Sequence, residues 1–210
     1  RSHQGLRSMP HNRYPPLQAD SSDVFLLTGD GNEVEYDAFV RLFNSLSQDG
    51  VVVSTKYPAL TLSEDISGGD LTIVDCTRAD GVSVASDGQA VATASCGNLT
   101  RLGMRISDAI ERHAETEKAV LGFHSLSQLL AFHSPDVVGQ FLQVVVGQLR
   151  NHKLGGIFMA PRQANDAPEF AIVRTHFDYV VGLHRAETGL MKAKVEGKAD
   201  TGGEWRSIES

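Results

Sequence analysis

The stretch that decides the fold runs from Val24 to Phe43. It opens with a short apolar segment, Val24-Phe-Leu-Leu-Thr28, passes through a glycine-bearing segment, Gly29-Asp-Gly-Asn-Glu-Val-Glu-Tyr36, and ends in an amphipathic run to Phe43. A continuous apolar segment beside glycine is typical of a strand buried on both faces. The apolar positions Phe39, Leu42 and Phe43 recur at helical spacing. We therefore predict a strand, a glycine loop and then a helix.

A strand, loop and helix in this order hold nucleotide phosphates in P-loop proteins, whose Walker A motif reads Gly-x-x-x-x-Gly-Lys-Ser/Thr. Counted from Gly29, the second glycine falls on Val34, the lysine on Glu35 and the hydroxyl residue on Tyr36. A carboxylate would thus replace the ammonium that pairs with the β- and γ-phosphates. The loop is a candidate phosphate site in altered form, formed by Gly29, Asp30, Gly31, Asn32, Glu33, Val34, Glu35 and Tyr36.

Further apolar segments alternate with helical patterns along the rest of the chain. Such alternation predicts a three-layer α/β domain: a mostly parallel sheet with helices on both faces and an antiparallel C-terminal edge. Two segments remain without a firm assignment. We expect a short, irregular crossover at 57–70, and a surface loop or small hairpin at 78–97. The predicted strands are 24–28, 51–55, 71–75, 119–123, 157–160, 179–183 and 190–195, and the predicted helices are 35–48, 99–115, 128–132, 134–151 and 168–177.

Composition indicates an ordinary globular protein of one domain, with a net charge of −7 and a pI near 5.6. This acidic balance argues against nucleic-acid binding, and no apolar run approaches the length of a membrane span. The cysteines, Cys76 and Cys96, lack a metal-binding spacing, which favours reduced thiols and a cytoplasmic location. We expect a polar tail at 1–23, one domain at 24–197 and a C-terminal tail at 198–210. Because Met9 could be a natural start, residues 1–8 are interpreted as an expression scar.

The order of these elements resembles the RecA-like branch of P-loop ATPases, and especially its KaiC-like group, which is common in archaea. The resemblance covers Val24 to Val195. It includes Val51-Val-Val-Ser-Thr55, Leu71-Thr-Ile-Val-Asp75 and Ala119-Val-Leu-Gly-Phe-His-Ser-Leu-Ser127, the last at the family's Walker B strand. It implies a RecA-like fold, ATP with magnesium as the cofactor of active members, and side-by-side packing of subunits.

The departures from the family pattern affect the positions that carry out the chemistry in active members. Besides the altered Walker A loop, His124 stands where Walker B has the aspartate that orients magnesium and water, and neutral imidazole is a poor ligand for Mg²⁺. The family's acidic residues after the second strand are replaced by Thr55-Lys-Tyr57. Its late Lys-x-Arg-Gly motif reads Lys194-Val-Glu-Gly197. Four such changes favour a pseudo-ATPase.

Two candidate site residues also have a simpler interpretation. Asp75 ends a predicted strand, where α/β proteins place ligand-binding groups, but its position favours a capping or loop-fixing role. His124 can be a hydrogen-bonded histidine at a strand end, or else a pH switch or a ligand of a transition metal. The other histidines show no metal-ligand spacing, and Ser125 and Ser127 lack the Gly-x-Ser-x-Gly motif of serine hydrolases.

The sequence therefore predicts a non-catalytic RecA/KaiC-like domain that binds no cofactor and acts as a regulatory or assembly protein. Its expected partner is a protein, either further copies of itself or an active paralogue, with no membrane and no nucleic acid. Two alternatives stay open. One is a nucleotide-binding ATP hydrolase with atypical motifs, and the other is a DNA-recombination accessory protein.

Overall fold

The structure, a computed structural model, describes residues 20, 22–29, 33–47, 49–66, 69–77, 84–86, 89–162, 170–187, 191–197, 203 and 206–208. Within them, strands and helices alternate through most of the chain. The strands are β1 Val24–Gly29, β2 Gly50–Ser54, β3 Leu71–Asp75, β4 Val84–Ser86, β5 Gln89–Thr93, β6 Val120–Phe123, β7 Gly155–Pro161, β8 Tyr179–Arg185, β9 Met191–Gly197 and β10 Arg206–Ile208. The helices are α1 Glu33–Leu46, α2 Ala59–Asp65, α3 Leu99–Arg112, α4 Ser127–Phe132, α5 Pro135–His152 and α6 Ala171–Arg174.

The described strands form one sheet in the order β10-β9-β8-β1-β7-β6-β2-β3-β5-β4. The central strands from β8 to β5 pair in parallel. Both edges are antiparallel, through β8, β9 and β10 on one side and through β4 on the other. This confirms the predicted mostly parallel sheet with an antiparallel C-terminal edge.

Helices cover both faces of the sheet, as predicted. Alternate residues of β1 point to opposite sides, so that Val24 and Leu26 join the core under α3 to α6 and Phe25 and Leu27 join the core under α1 and α2. Both cores are apolar, and strands β1, β2, β3 and β6 are buried throughout. The continuous apolar segments of the sequence therefore correspond to strands that have a helix layer on each side.

Helix α1 packs unusually close to the sheet above β6. A Cβ atom added at Gly122 would lie 2.7 Å from Phe39 Cζ and 2.9 Å from Phe43 Cδ2. The glycine thus leaves room for two phenylalanine rings of α1. This contact fixes the start of α1 next to the residue that follows β6, His124, and so determines one wall of the site described below.

Three segments differ from the sequence interpretation. The expected irregular crossover at 57–70 contains the helix α2. Within 78–97 the hairpin alternative holds, since β4 and β5 pair with Val84 opposite Val91, and β5 also extends the sheet in parallel with β3. Residues 206–208, placed in the C-terminal tail, pair with β9 as strand β10. The helix predicted at 168–177 is observed as α6, and 163–169 lie outside the described residues.

Candidate functional site

A cavity of about 190 Å³ lies at the carboxyl ends of the parallel strands. Its walls come from the first turn of α1, the loop after β2, the segment that follows β6 and the end of β7. Open α/β sheets place ligands at this edge, where the crossovers diverge. The cavity contains three side chains that the sequence singled out, Glu35, Tyr36 and His124, together with Lys56 and Tyr57 from the loop after β2.

The side chain of Glu35 lies over the end of β1. It is 6% exposed, and its Cγ and Cδ atoms would each be 2.8 Å from a Cβ atom added at Gly29. Side chains of the first helical turn point back toward the helix N-terminus, and a carboxylate there is favoured by the exposed N–H groups and the helix dipole. The carboxylate of the protein itself therefore occupies space beside the N-terminus of α1, where helices of this kind receive external anions.

Tyr36, one residue further along α1, connects this helix to α2. Its hydroxyl donates a hydrogen bond of 2.5 Å to Oδ2 of Asp65, the last residue of α2. Its ring meets the rings of Tyr57 and His124 edge-on, with centroids 4.9 and 5.5 Å away. Burial, reinforced by the hydrogen bond to Asp65, raises the pKa of Tyr36 well above its usual value, so that the phenol remains protonated.

His124 is enclosed by aromatic rings. It is 2% exposed, and the centroids of Tyr57, Tyr36 and Phe39 lie 5.1 to 5.8 Å from its own. Its Nδ1 atom is buried and has no hydrogen-bond partner among the residues that the structure describes. Burial, and secondarily the charge of Lys56, lower the pKa of His124 to about 4. The histidine is therefore neutral near pH 7, and its interpretation as a hydrogen-bonded strand-end histidine stays a prediction.

Polar groups from two loops complete the walls. Lys56 is exposed and lies 5.5 Å from the centroid of Tyr57. The segment after β6 is held in place by its own hydrogen bonds, because Thr55 Oγ1 donates to the Ser125 carbonyl at 3.0 Å and the Ser127 N–H donates to Ser125 Oγ at 3.2 Å. The serine hydroxyls thus take part in fixing the loop, and Lys56 supplies a positive charge at the cavity.

Asp75 serves a structural role outside the cavity wall. Its Oδ2 accepts a hydrogen bond of 3.2 Å from the N–H of Ala59, the first residue of α2, and its Oδ1 accepts from the Thr77 N–H at 2.8 Å and the Thr77 hydroxyl at 2.6 Å. The side chain is 1% exposed. It therefore caps α2 and fixes the loop after β3, as the structural interpretation of the sequence predicted.

The middle of the candidate phosphate loop, Asp30-Gly-Asn32, lies outside the described residues. Glu33 and Val34 are the first two residues of α1, and only their backbone is described. Sequence reasoning singled out Lys56 and Tyr57 only as replacements for acidic family residues, and not as groups that line a site. Their place directly after a buried parallel strand is the signal that could have identified them.

The part of the chain that the structure describes offers neither a metal-binding cluster nor a helix that could cross a membrane. No group of three or more histidine, cysteine, aspartate or glutamate side chains is arranged to hold a metal ion there. None of the helices in those residues combines the length and apolar character that crossing a membrane requires. The cavity at the carboxyl edge is therefore the site on which a functional interpretation rests.

Comparison with solved structures identifies a protein with a similar fold. The chain resembles the KaiC-like protein PH0186 of the hyperthermophilic archaeon Pyrococcus horikoshii OT3, with a TM-score of 0.57 over 89% of this chain and 83% of that one. The two sequences are 12% identical, so the likeness concerns the fold. It confirms the RecA-like, three-layer α/β architecture that the sequence predicted.

Comparisons at the level of sequence give a family without an assigned activity. No curated protein matches the chain. A model of the family of unknown function DUF7504 matches residues 23–183, which include β1 to β7, most of β8 and every helix described above. The chain belongs to this family, DUF7504.

Proposed function

We propose that this protein is a non-catalytic RecA/KaiC-like domain, a pseudo-ATPase that acts as a regulatory or assembly protein through contacts with other proteins. The observation that carries the proposal is the position of the Glu35 carboxylate over Gly29 at the N-terminus of α1. In a working phosphate loop this place belongs to the nucleotide, and the lysine of the motif supplies positive charge.

Electrostatics supports this interpretation. Two like charges about 4 Å apart repel each other by roughly 4 kcal/mol at the effective dielectric constant of a protein surface. A phosphate brought to the N-terminus of α1 would meet Glu35 at about that separation, and it would carry more than one charge. The helix N-terminus cannot compensate, because the side chain of Glu35 already lies beside it.

The position of His124 is also unfavourable for magnesium. Mg²⁺ prefers oxygen ligands and keeps several of its waters. A neutral imidazole among the rings of Tyr36, Phe39 and Tyr57 offers a nitrogen in an apolar environment. The charge stabilisation and metal ligation on which phosphoryl transfer depends would both have to come from other residues.

One observation favours the alternative of a nucleotide-binding ATPase. Lys56 brings an ammonium group to the cavity from the loop after β2. That group could pair with a phosphate, although it comes from a different element than the lysine of the Walker A motif. The alternative requires Glu35 to move away from Gly29, and it therefore predicts that removing the carboxylate strengthens a binding that the wild type already has.

Titration with Mg·ATP, followed by calorimetry and by thermal unfolding, tests the proposal. A ligand at about one hundred times its Kd stabilises the native state by about 2.7 kcal/mol, which raises the Tm of a chain of this length by roughly 5–10 °C. We expect no heat of binding and no rise in Tm for the wild type. Glu35→Gln, which keeps the shape of the side chain, shows whether the charge is what excludes the nucleotide. Micromolar affinity of the wild type would overturn the proposal.

Contacts with other proteins are supported by large apolar side chains on the outer surface of one helix layer. Met104 on α3, Phe132 on α4, Val144 on α5 and Ile172 on α6 are each between 52% and 63% exposed. All four helices cover the same face of the sheet. An exposed apolar surface of this kind is typical of an interaction site.

Sedimentation over a range of protein concentrations tests this part of the proposal for self-association. We expect Val144→Glu to shift the protein toward the monomer, because it places a charge among the apolar side chains. Gln143→Glu, at the neighbouring exposed position of α5, adds the same side chain to a polar position and is the matched control. If the wild type is monomeric throughout, the partner must be a different protein.

A further inference from the structure

Cys76 and Cys96 are twenty positions apart in the sequence but neighbours in the fold. Cys76 follows the last residue of β3, and Cys96 lies three residues beyond the end of β5, its parallel neighbour. The ladder between these strands continues past their ends, since the Ala94 N–H donates to the Asp75 carbonyl at 3.2 Å. The Cys96 side chain belongs to the core under α3 to α6, and Cys76 packs against that same core.

The backbone on both sides of this pair is well fixed. The Cys76 N–H donates to the Ser54 carbonyl at 2.7 Å, which ties it to β2. Cys96 lies in a turn closed by the Asn98 N–H and the Ser95 carbonyl at 3.0 Å, and its own carbonyl lies 3.0 Å from Nε2 of His133. The two thiols are thus brought together by anchored backbone rather than by free loops.

The thiols differ in accessibility and in acidity. Neither cysteine is in a disulfide, Cys76 is partly exposed, and Cys96 is 5% exposed. The Cys76 S–H faces the Val74 carbonyl at 4.0 Å. Hydrogen bonding with the Cys76 side chain lowers the pKa of the Cys96 thiol more than burial raises it. An accessible thiol therefore lies beside a buried sulfur that is biased toward the thiolate, the form that attacks oxidised sulfur.

We propose that Cys76 and Cys96 form a reversible disulfide when the protein meets a hydroperoxide, so that the carboxyl end of β3 becomes covalently joined to the segment leading into α3. This site is separate from the cavity and does not depend on the proposed function. It lies beside Asp75, which caps α2, so that oxidation would constrain the loop that Asp75 organises.

The chemistry needs hydrogen peroxide as oxidant and two steps. Cys76 loses its proton, and its sulfur attacks one peroxide oxygen. The O–O bond breaks, the other oxygen leaves as water, and Cys76 becomes a sulfenic acid. The Cys96 thiolate then attacks the Cys76 sulfur, the S–S bond forms, the S–O bond breaks, and hydroxide leaves. Two thiols are oxidised by two electrons while one peroxide is reduced to two waters.

Treatment of the full chain with hydrogen peroxide, followed by thiol counting and peptide mapping, tests the proposal. The reduced protein has two titratable thiols, the number of cysteines in the chain, and we expect none after oxidation and two again after dithiothreitol. Trypsin should release peptides 57–78 and 79–101, each with one cysteine. We expect these two peptides to be joined, with the mass of the pair lower by two hydrogen atoms.

Two variants separate the roles of the thiols. In Cys96→Ser, the sulfenic acid of Cys76 has no thiol to attack it, and a dimedone probe should label that residue. In Cys76→Ser, the buried Cys96 should lose its thiol at least about tenfold more slowly than in the wild type, because its sulfur is shielded from peroxide. Stable sulfinic acid on Cys76 of the wild type without the joined peptides, or disulfides only between chains, would overturn the proposal.

Discussion

The hydroxyl of Tyr36 donates a hydrogen bond of 2.5 Å to the carboxylate of Asp65. This bond joins the first turn of α1 to the last residue of α2, two helices on the same face of the sheet. Tyr36 stands at the position that corresponds to the hydroxyl residue of a Walker A motif. Its hydroxyl forms a hydrogen bond with a carboxylate of the protein itself.

We expect Tyr36→Phe to lower the free energy of unfolding by about 1 kcal/mol, the usual net contribution of a hydrogen bond. The ring contacts with Tyr57 and His124 are retained in this variant, so the effect reports the bond to Asp65. Urea denaturation followed by circular dichroism measures it. Tyr57→Phe is a matched control, since it removes a phenolic hydroxyl from the same aromatic cluster and leaves the bond between Tyr36 and Asp65 in place. Equal losses in the two variants would contradict the assignment.

Gly29 tests whether the position of Glu35 is a firm feature of the fold. A Cβ at residue 29 would collide with the carboxyl end of the Glu35 side chain. We expect Gly29→Ala to destabilise the protein by about 1–3 kcal/mol through overpacking. In the background of Glu35→Ala the same substitution should cost little, because the colliding atoms are gone. The coupling is measured by a double-mutant cycle in urea, and additive effects would show that Glu35 does not lie over Gly29 in solution.

Asp75 offers a test of the loop-fixing role. We expect Asp75→Ala to lower the free energy of unfolding by about 2–3 kcal/mol, because it leaves the partly buried N–H of Ala59 without its acceptor and releases Thr77. Thr77→Val removes only the hydroxyl that donates to Asp75 and should cost less than half as much. Hydrogen exchange of the amides in α2 should rise in Asp75→Ala, and unchanged exchange would contradict the capping role.

The fold was predictable from the sequence because the central strands are buried on both faces and therefore appear as unbroken apolar segments. The helix α2 was not predictable, for an identifiable reason. Its first residue follows Pro58, whose side chain offers no cap, and its N-terminal N–H is satisfied by Asp75, sixteen positions further along the chain. A local pattern cannot reveal a cap that only the tertiary fold provides.

The candidate site was predictable in part. The strand, loop and helix order located it, and counting along the Walker A pattern identified Glu35 and Tyr36. The direction of the Glu35 side chain and the aromatic enclosure of His124 depend on how α1 lies against β6, which the two phenylalanines above Gly122 determine. The sequence indicated Lys56 only as a residue that replaces an acidic residue of the family. Its approach to the cavity depends on the path of the loop after β2, which the sequence does not show.

The final prediction concerns how the protonation of His124 changes the free energy of unfolding at low pH. Its pKa is lowered from 6.5 to about 4 in the folded protein, mainly by burial. Between these two pH values the unfolded chain binds a proton that the folded protein does not, so the free energy of unfolding falls as pH decreases through this window. The decrease due to His124 amounts to about 3 kcal/mol, at 1.36 kcal/mol for each pH unit. Above pH 6.5 this contribution is constant.

We expect His124→Phe to remove that part of the acid sensitivity while keeping an aromatic ring in contact with Tyr36 and Tyr57. At neutral pH the variant should be as stable as the wild type or more stable, since none of the described residues forms a hydrogen bond with the buried Nδ1. Some acid sensitivity will remain, because burial also lowers the pKa of His113 and His176.

Phe39→Leu disturbs the same cluster without removing a titratable group and should lower stability equally at every pH. Urea denaturation between pH 4 and pH 7 distinguishes the variants, and an unchanged pH dependence in His124→Phe would show that this histidine is not buried in its neutral form.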